Sequence, residues 1–392
     1  MNNYRLEELS EFIRNGASIK QFENAKGYPI TRIETISDSY VNLERVGYAD
    51  IMEFGKYEEY LLDIGDILMS HINSDKHLGK TAIFENENVK LIHGMNLLCI
   101  RPNKKIVSPK YLNYYFKSLD FKKQLPKITK KSVNQASFSV SDLKKLKCKI
   151  HSIENQKKIV EILDKSQELI DKRKKQIEEL DLLVKSKFIE MFNIWFSNKE
   201  SYRKLVEICN FIDYRGKTPE KSEIGIPLIT AKNVKNNRFS FEPREYIPMK
   251  NYKDVMTRGI PSVNDILFTT EAPLGNVCRI PNIEGEFCVG QRLITMKPLE
   301  EICSEYLEYA LLSKQFQGEM WKHASGSTVK GIRSKELVKL SIPVPPIELQ
   351  NQFANFVKQV DKLKFEMEKS LKELEDNFNS LMQKAFKGEL FK

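Results

Sequence analysis

The chain has 392 residues, 41% of them hydrophobic and 22 of them Phe, so it is long enough for two or three domains and too apolar for a disordered protein. Its 63 Lys and Arg residues outnumber 53 Asp and Glu residues, and the net charge of +10 favours a polyanionic partner. No stretch reaches 18 apolar residues and no apolar segment follows the first residues, which excludes a membrane-spanning or exported protein. We therefore expect a cytoplasmic protein that does not contact a membrane.

The first 150 residues predict a globular α+β unit, which we call the first head. Apolar runs bounded by Gly, Asp and Asn predict short strands at 60–64, 67–70, 81–84 and 97–100. A helix is predicted at 109–119, because Pro occupies its first turn and apolar residues recur on one face. Further along, Lys127, Lys130 and Lys131 stand among hydroxyl and amide side chains. Such a mixture suits a surface that grips phosphates and reads base edges, and a solvated loop is the alternative.

A long helix is predicted from residue 153 to residue 192, where apolar residues recur every three or four positions. Ser166 and Arg173 interrupt the apolar stripe, so we expect weaker pairing there. Several large apolar residues lie at or just after the end of this helix, namely Phe188, Ile189, Phe192, Ile194, Trp195 and Phe196. A two-helix seam does not use all of them, so they either line a head or form an exposed patch for another protein.

Residues 197–346 repeat the pattern of the first head, and we call them the second head. Strands are predicted at 265–269 and 292–296, and a helix at 304–312. A second polar and basic stretch, at 322–333, matches the basic loop of the first head. The run Pro343-Val344-Pro345-Pro346 then leads into a second long helix at 347–386, whose apolar residues form a coiled-coil seam.

The two long helices are copies of one another at an offset of 194 residues, from Ile153 to Ile347. Nine of 40 aligned positions are identical, and in the first copy these are Ile153, Glu154, Gln156, Leu169, Lys175, Glu179, Leu180, Ser186 and Phe192. The heads match more loosely. This duplication predicts two α+β heads separated by two long helices, with one head at each end of the helical rod. The helices should pack antiparallel, because each exposes an apolar stripe and each starts at its own head.

Signatures of catalysis and of cofactor binding are missing from the sequence. Gly216-Lys217-Thr218 ends like a phosphate-binding loop, but Phe211 stands where the first Gly is required. The six Cys residues include no CxxC pair, and the five His residues show no HExxH spacing, so zinc sites of those kinds are excluded. We therefore predict no catalytic residue, no metal site and no cofactor. Paired heads without these groups indicate a protein that binds and positions other molecules.

Several short motifs, together with the duplicated order of heads and helices, carry a resemblance to a known family. They are Gly65-Asp66-Ile67-Leu68, the run 213–219, Gly326-Ser327-Thr328 before Gly331-Ile332, the run 343–350 and the closing run 385–390. Together they resemble the specificity subunit of Type I restriction–modification enzymes over essentially the whole chain. Leu349 departs from the family pattern, in which Glu often precedes Gln, and residues 149–152 lack the prolines usual at the first joint.

The resemblance implies two target recognition domains, at 1–150 and 197–346, and two conserved long helices, at 151–196 and 347–392. Each domain would read one half of a split site in double-stranded DNA, and the helices would act as a ruler for the unread gap. Two methylation subunits would dock on the helical spacer, and two restriction subunits would join them. Those partners would carry the methylation and ATP-driven cleavage chemistry, so the chain itself would not be an enzyme.

Candidate DNA-binding residues follow from side-chain chemistry, because Arg pairs with guanine and Asn or Gln with adenine by two hydrogen bonds. In the first head they are Thr31, Arg32, His71, Asn73, Lys130, Lys131, Asn134 and Gln135. In the second head they are Arg215, Lys217, Lys232, Asn233, Gln291, Arg292, Ser327, Thr328, Lys330 and Arg333. Two alternatives remain open: a DNA-binding enzyme with an unfamiliar methyltransferase or nuclease site, and a coiled-coil scaffold that binds only proteins.

Overall fold

The computed structural model describes residues 1–133, 135–214 and 219–391. The chain forms two compact units, one made of Met1–Lys174 and Ser370–Lys392 and the other of Lys175–Lys369. Each unit therefore contains one head, the beginning of the helix that follows this head, and the end of the other long helix. Within the described ranges, no helix is long and apolar enough to cross a membrane.

The first unit combines an antiparallel sheet with short helices. Its strands are β1 (Asn2–Arg5), β2 (Ser10–Asn15), β3 (Ile67–Ser70), β4 (Ile72–Asn73), β5 (Thr81–Ile83), β6 (Leu97–Pro102), β7 (Lys130–Lys131), β8 (Ala136–Ser137) and β9 (Lys147–Ile150). Its short helices are α1 (Pro109–Lys117), α2 (Leu119–Lys122), α3 (Leu125–Ile128) and α4 (Val140–Lys144). The main sheet has the order β2-β6-β3-β5, a smaller sheet has the order β4-β8-β7, and β1 pairs with β9.

Three of the four strands predicted in the first head are confirmed as β3, β5 and β6, but the strand predicted at 60–64 is wrong. A 3₁₀ helix, Gly55–Tyr60, occupies the preceding residues and ends when Leu61 N–H donates to Glu58 O at 3.1 Å. Leu61 then makes only an isolated bridge to Ile92. The apolar run at 60–64 therefore attaches a loop to the core and does not extend the sheet.

The second unit repeats this arrangement. Its strands are β10 (Tyr202–Lys204), β11 (Cys209–Asp213), β12 (Ile226–Ile229), β13 (Val234–Lys235), β14 (Arg238–Phe239), β15 (Tyr246–Ile247), β16 (Ile266–Thr270), β17 (Leu274–Arg279), β18 (Cys288–Val289), β19 (Leu293–Pro298) and β20 (Ser341–Pro343). Its short helices are α6 (Leu205–Ile208), α7 (Tyr252–Val255), α8 (Ser304–Leu311), α9 (Lys314–Lys322) and α10 (Ser334–Leu337). The main sheet has the order β11-β19-β16-β17, and β10 pairs with β20 as β1 pairs with β9.

A buried aspartate at the start of a central strand is common to both heads. Asp66, just before β3, accepts a hydrogen bond from the N–H three residues earlier at 2.8 Å and pairs with Arg101 at 2.7 Å. Asp265, just before β16, accepts the equivalent N–H bond at 2.7 Å and lies 3.7 Å from Lys297 Nζ. Because Arg101 and Lys297 occupy equivalent positions on β6 and β19, the duplication extends from the helices into the cores of the heads.

The long helices are α5 (Ile153–Ser197) and α11 (Ile347–Lys387), and they begin at the predicted residues. They run antiparallel within the second unit. Asp181 accepts a hydrogen bond from Lys364 at 2.6 Å, whereas Phe192, later on α5, packs against Phe353, earlier on α11, with ring centroids 5.5 Å apart. In the first unit, Lys174 Nζ lies 2.9 Å from a carboxylate oxygen of Glu375. The predicted antiparallel pair of helices and the α+β fold class are confirmed.

The seam departs from the prediction at Leu363, which is 47% exposed, while the adjacent Lys364 turns inward to Asp181. The apolar residues near the end of α5 divide between both predicted roles. Phe188 and Phe192 are buried in the core of the second unit, whereas Ile189 and Ile194 are exposed. This core also explains why α5 extends beyond residue 192, since its last turns pack against the second head.

The identical glutamines of the two helices, Gln156 and Gln350, connect each helix to its head. Both side chains are fully buried, and each accepts one backbone N–H and donates to two backbone carbonyls. For Gln156 the partners are Ser108 N at 2.8 Å, Ile106 O at 3.0 Å and His151 O at 2.9 Å. For Gln350 they are Cys303 N at 3.0 Å, Glu301 O at 3.1 Å and Pro345 O at 2.8 Å.

Candidate nucleic-acid interface

The small sheet of the first head brings together four of the residues predicted to bind DNA. Asn73 lies on β4, Lys130 and Lys131 lie on β7, and Gln135 is in the turn that joins β7 to β8. Asn73 and Lys131 both stand opposite Ala136, so they share one face of this sheet. The two lysines and Gln135 are exposed. Two lysines and two amides are therefore presented by this small sheet and its turn, which together we call the ribbon.

Lys131 already has a partner on this surface, because its Nζ lies 2.7 Å from a carboxylate oxygen of Asp75. Both side chains are about two-thirds exposed, and an ion pair of this kind contributes only about 0–1 kcal/mol. A phosphate group is therefore able to replace Asp75 at little cost. The turn itself is held by Gln135 O, which accepts Ser132 N at 2.7 Å.

The other predicted residues of the first head lie apart from this ribbon or below its surface. Thr31 is 1% exposed, and its hydroxyl accepts the N–H of Gly94 at 2.9 Å. Arg32 is exposed on a separate loop and donates to Gln21 at 2.6 Å. His71 is buried at the base of the small sheet, and this burial lowers its pKa, which favours the neutral ring. Asn134 lies outside the described residues.

In the second head, three predicted residues line one cavity of about 310 Å³. Lys232, Gln291 and Arg292 converge there together with Lys221 and Glu245, which the sequence analysis did not single out. Glu245 is mostly buried and lies 2.6 Å from Lys221 and 3.1 Å from Lys232. The hydrogen bond from Lys221 lowers the pKa of Glu245, so the carboxylate stays charged between the two lysines.

A second cavity, of about 340 Å³, shares Gln291 and Arg292 with the first. Arg333 also lines this cavity, and Arg292 lies 3.1 Å from a carboxylate oxygen of Glu271. The loop above it is closed by two backbone hydrogen bonds between Ser325 and Gly331, at 2.8 and 2.9 Å. This loop carries the predicted residues Ser327, Thr328 and Lys330, all exposed.

The structure thus brings Lys232, Gln291, Arg292 and Arg333 to adjoining cavities, with the exposed loop 326–330 beside them. Asn233, in contrast, is buried, and its side chain holds its own loop through Thr230 N, Ser240 O and Pro243 O. Arg215 and Lys217 lie outside the described residues. The sequence analysis missed Lys221 and Glu245, because an isolated charged residue does not indicate a binding site. Their proximity becomes known only when the fold brings their distant segments together.

Among the described residues, no group of three or more His, Cys, Asp or Glu side chains is arranged to hold a metal ion. The six cysteines are free thiols, and five of them are buried. The lysines, arginines and amides described above can donate hydrogen bonds, and the lysines and arginines can also pair with an anion. Nucleic acid offers both kinds of partner, in its phosphates and its base edges.

Comparison with known proteins gives the same family for both halves of the chain. The family model described as "Type I restriction modification DNA specificity domain" matches residues 1–181 and again residues 198–376. A Methanocaldococcus jannaschii protein, provisionally named type I restriction enzyme MjaX specificity subunit, is 33% identical over 98% of this chain and 92% of its own length. The MjaVIII specificity subunit of the same organism is 24% identical over 100% of this chain and 95% of its own.

Solved structures share the fold at low sequence identity. A chain from a study of complex assembly and conformational transition of the type I R-M system aligns with a TM-score of 0.56 and 18% identity, covering 99% of this chain and 98% of its own. The S subunit of a Type-I restriction-modification system from M. genitalium aligns with a TM-score of 0.51 and 18% identity, covering 98% of this chain and 96% of its own. Since the family model matches twice and a relative above 30% identity aligns over nearly all of the sequence, the chain belongs to the family of Type I restriction–modification DNA specificity proteins.

Proposed function

We propose that this protein is a non-catalytic subunit that gives a Type I restriction–modification enzyme its DNA sequence specificity. Each head reads one half of a split site in double-stranded DNA. The first head does so through the ribbon that carries Asn73, Lys130, Lys131 and Gln135. The second head does so through the adjoining cavities and the loop 326–330. Thr31, His71 and Asn233 are buried, which supports a role for them in shaping these surfaces.

The observation that carries this proposal is one scaffold that presents two different polar surfaces. The buried aspartates and glutamines are the same in both units, whereas the exposed side chains of the two candidate surfaces differ. A duplicated scaffold with two different surfaces suits the reading of two different half-sites. For this reason we propose the segments 1–150 and 197–346 as target recognition domains, and 151–196 and 347–392 as the shared helical spacer.

Membership of the family supports the partners proposed for this chain. We propose that two methylation subunits dock on the helical spacer, that two restriction subunits join them, and that the helices set the length of the unread gap. Exposed apolar residues on α5 and α11, such as Leu169 and Phe365, offer contact area for such docking. The partners supply the methylation and cleavage chemistry. Because the proposed ligand is intracellular DNA, the cytoplasmic location remains part of the proposal.

Selection from a random duplex library tests the function as a whole. The full-length chain is mixed with its methylation partner, and bound duplexes are sequenced. We expect a motif of two short conserved blocks separated by a gap of fixed length. A single continuous motif, or no enrichment, contradicts the proposal. Methyl transfer or cleavage by the chain without partners would favour an enzyme, and binding to protein alone would favour a scaffold.

Salt dependence tests the ribbon of the first head. Each phosphate contact adds about 0.9 to the slope of log affinity against log salt concentration. Replacing Lys130 and Lys131 together with Ala should therefore flatten this slope by about 1.8 and weaken binding to all sequences. Lys122 and Lys123, two neighbouring exposed lysines elsewhere in the same head, provide the matched control. An unchanged slope in the first variant would remove the ribbon from the interface.

A further inference from the structure

Both heads carry an exposed valine at the tip of a hairpin loop next to the candidate DNA surface. Val133 lies in the turn between β7 and β8 and is 99% exposed, more than any other large apolar residue of the described chain. Val329 lies in the loop between Ser325 and Gly331 and is half exposed. Neither valine belongs to the hydrophobic core clusters of the two heads.

The two hairpins occupy equivalent places. In the first head, Phe138 N–H donates to His71 O at 3.1 Å, which attaches the hairpin to the strand before it. In the second head, Ile332 N–H donates to Thr270 O at 3.0 Å in the same way. The hairpins are therefore features of the duplicated scaffold, although the valines stand at different positions within them: Val133 lies five residues before Phe138, and Val329 lies three residues before Ile332.

Turn formation does not explain these valines. Tight turns favour Gly, Asn, Asp, Ser and Pro, whereas a β-branched side chain is stiff and contributes no local hydrogen bond. Each valine has cations close by in sequence or space. Lys130 and Lys131 precede Val133, and Val329 lines the same cavity as Arg292 and Arg333. A valine with cations beside it is complementary to a partner that presents an apolar group between negatively charged groups.

We propose that Val133 and Val329 are specificity-determining residues that each contact the 5-methyl group of a thymine, one in each half of the split site. This inference rests on the proposed DNA-reading function. The major groove admits a two-stranded ribbon, and the thymine methyl is the apolar group that a base pair exposes there. The lysines and arginines beside each tip contact the phosphates and set its depth in the groove.

Replacement of thymine by deoxyuridine removes only this methyl group and therefore tests the contact directly. The selected duplex is synthesised with each thymine of each half-site changed in turn, and affinity is measured for the wild-type chain, Val133→Ala and Val329→Ala with the methylation partner. Contact between a valine and a methyl group buries roughly 40 Å² at about 25 cal/mol per Å², so its loss should weaken binding about fivefold.

For the wild-type chain, we expect one deoxyuridine in each half-site to weaken binding by this fivefold factor. With Val133→Ala, deoxyuridine in the first half-site should no longer weaken binding, whereas deoxyuridine in the second half-site should still do so. Val329→Ala should show the reverse. Val206→Ala, at an exposed valine outside the hairpins, is the matched control and should leave both costs unchanged. Thermal unfolding of both tip variants should equal that of the wild type, since neither valine packs in the core.

The inference is overturned if the half-sites contain no thymine, or if deoxyuridine weakens binding to both tip variants as much as to the wild type. Either result leaves the DNA-reading function intact. If the chain binds no split site at all, the proposed function fails and this inference fails with it. The two failures are distinguished by whether a split motif is enriched before any thymine is changed.

Discussion

Replacing either buried glutamine with leucine should destabilise one unit without directly weakening the other. Leucine has a similar volume but makes no hydrogen bond, so Gln350→Leu leaves one N–H and two carbonyl groups without their partner. An unsatisfied buried polar group costs about 1–3 kcal/mol. Relaxation and the added apolar burial offset part of this sum, so we expect a loss of about 2–5 kcal/mol in the free energy of unfolding. Gln156→Leu should cost a similar amount, because its three bonds are equivalent.

The two tryptophans make the assay specific to one unit. Trp195 and Trp321 both belong to the second unit, so tryptophan fluorescence follows its unfolding, whereas circular dichroism follows both units. If the free energy of unfolding falls by about 2 kcal/mol per M urea, Gln350→Leu should lower the urea midpoint of the fluorescence transition by about 1–2.5 M. Gln156→Leu should shift the transition seen by circular dichroism and leave the fluorescence transition nearly in place.

Gln352→Leu is the control, because Gln352 is exposed on the same helix, and we expect a change within about 0.5 kcal/mol. If both core variants shift the midpoints no more than this control does, the hydrogen bonds of the glutamines do not connect helix and head as argued. If Gln156→Leu shifts the fluorescence transition as strongly as Gln350→Leu does, the two units do not unfold as separate bodies.

Three further substitutions test other contacts. Arg279→Met should lower the free energy of unfolding by about 3–5 kcal/mol near pH 8, because it leaves the buried Glu308 without its cation. Burial already raises the pKa of Glu308, so its ionised form destabilises the fold, and the loss should shrink as pH falls toward 5. Urea titrations at several pH values measure this trend. Gly275→Ala should lower the free energy of unfolding of the second unit, followed by fluorescence, by about 1–3 kcal/mol. The φ angle of Gly275 is +86°, and the added Cβ would lie 2.6 Å from the nearest side-chain atom. Lys110→Glu should lower the stability of the first unit by about 1 kcal/mol, and adding Asp164→Lys should restore most of it in circular dichroism, since these residues lie 3.2 Å apart on the surface.

The sequence allowed the helices and the duplication to be predicted because both depend on local patterns. Apolar residues recur every three or four positions from Ile153 and from Ile347, and this spacing requires no knowledge of distant contacts. Leu363 shows the limit of such patterns. It continues the apolar spacing, yet it is exposed, and the adjacent Lys364 pairs with Asp181 of the other helix. A contact between residues 183 positions apart gives no signal in a local pattern.

The candidate site was less predictable than the fold, because a polar side chain reads the same in sequence whether it is buried or exposed. Thr31 and Asn233 have the chemistry of base-reading residues, but their hydrogen bonds are made within the heads. Glu245 had no local signal, although it pairs with two lysines in a cavity beside Arg292. Residues that bind a ligand and residues that support a loop become distinct only when partners from separate segments are known.

The two junctions between head and helix carry ion pairs of opposite polarity. In the first unit the head supplies Lys110 and the helix supplies Asp164, whereas in the second the head supplies Glu305 and the helix supplies Lys358, at 3.8 Å. The residues are equivalent, but their signs are exchanged. A head placed on the wrong helix would set Lys110 against Lys358, or Glu305 against Asp164. Because the buried glutamines are identical in both copies and cannot distinguish them, the polar pairs at these junctions favour the pairing of each head with its own helix.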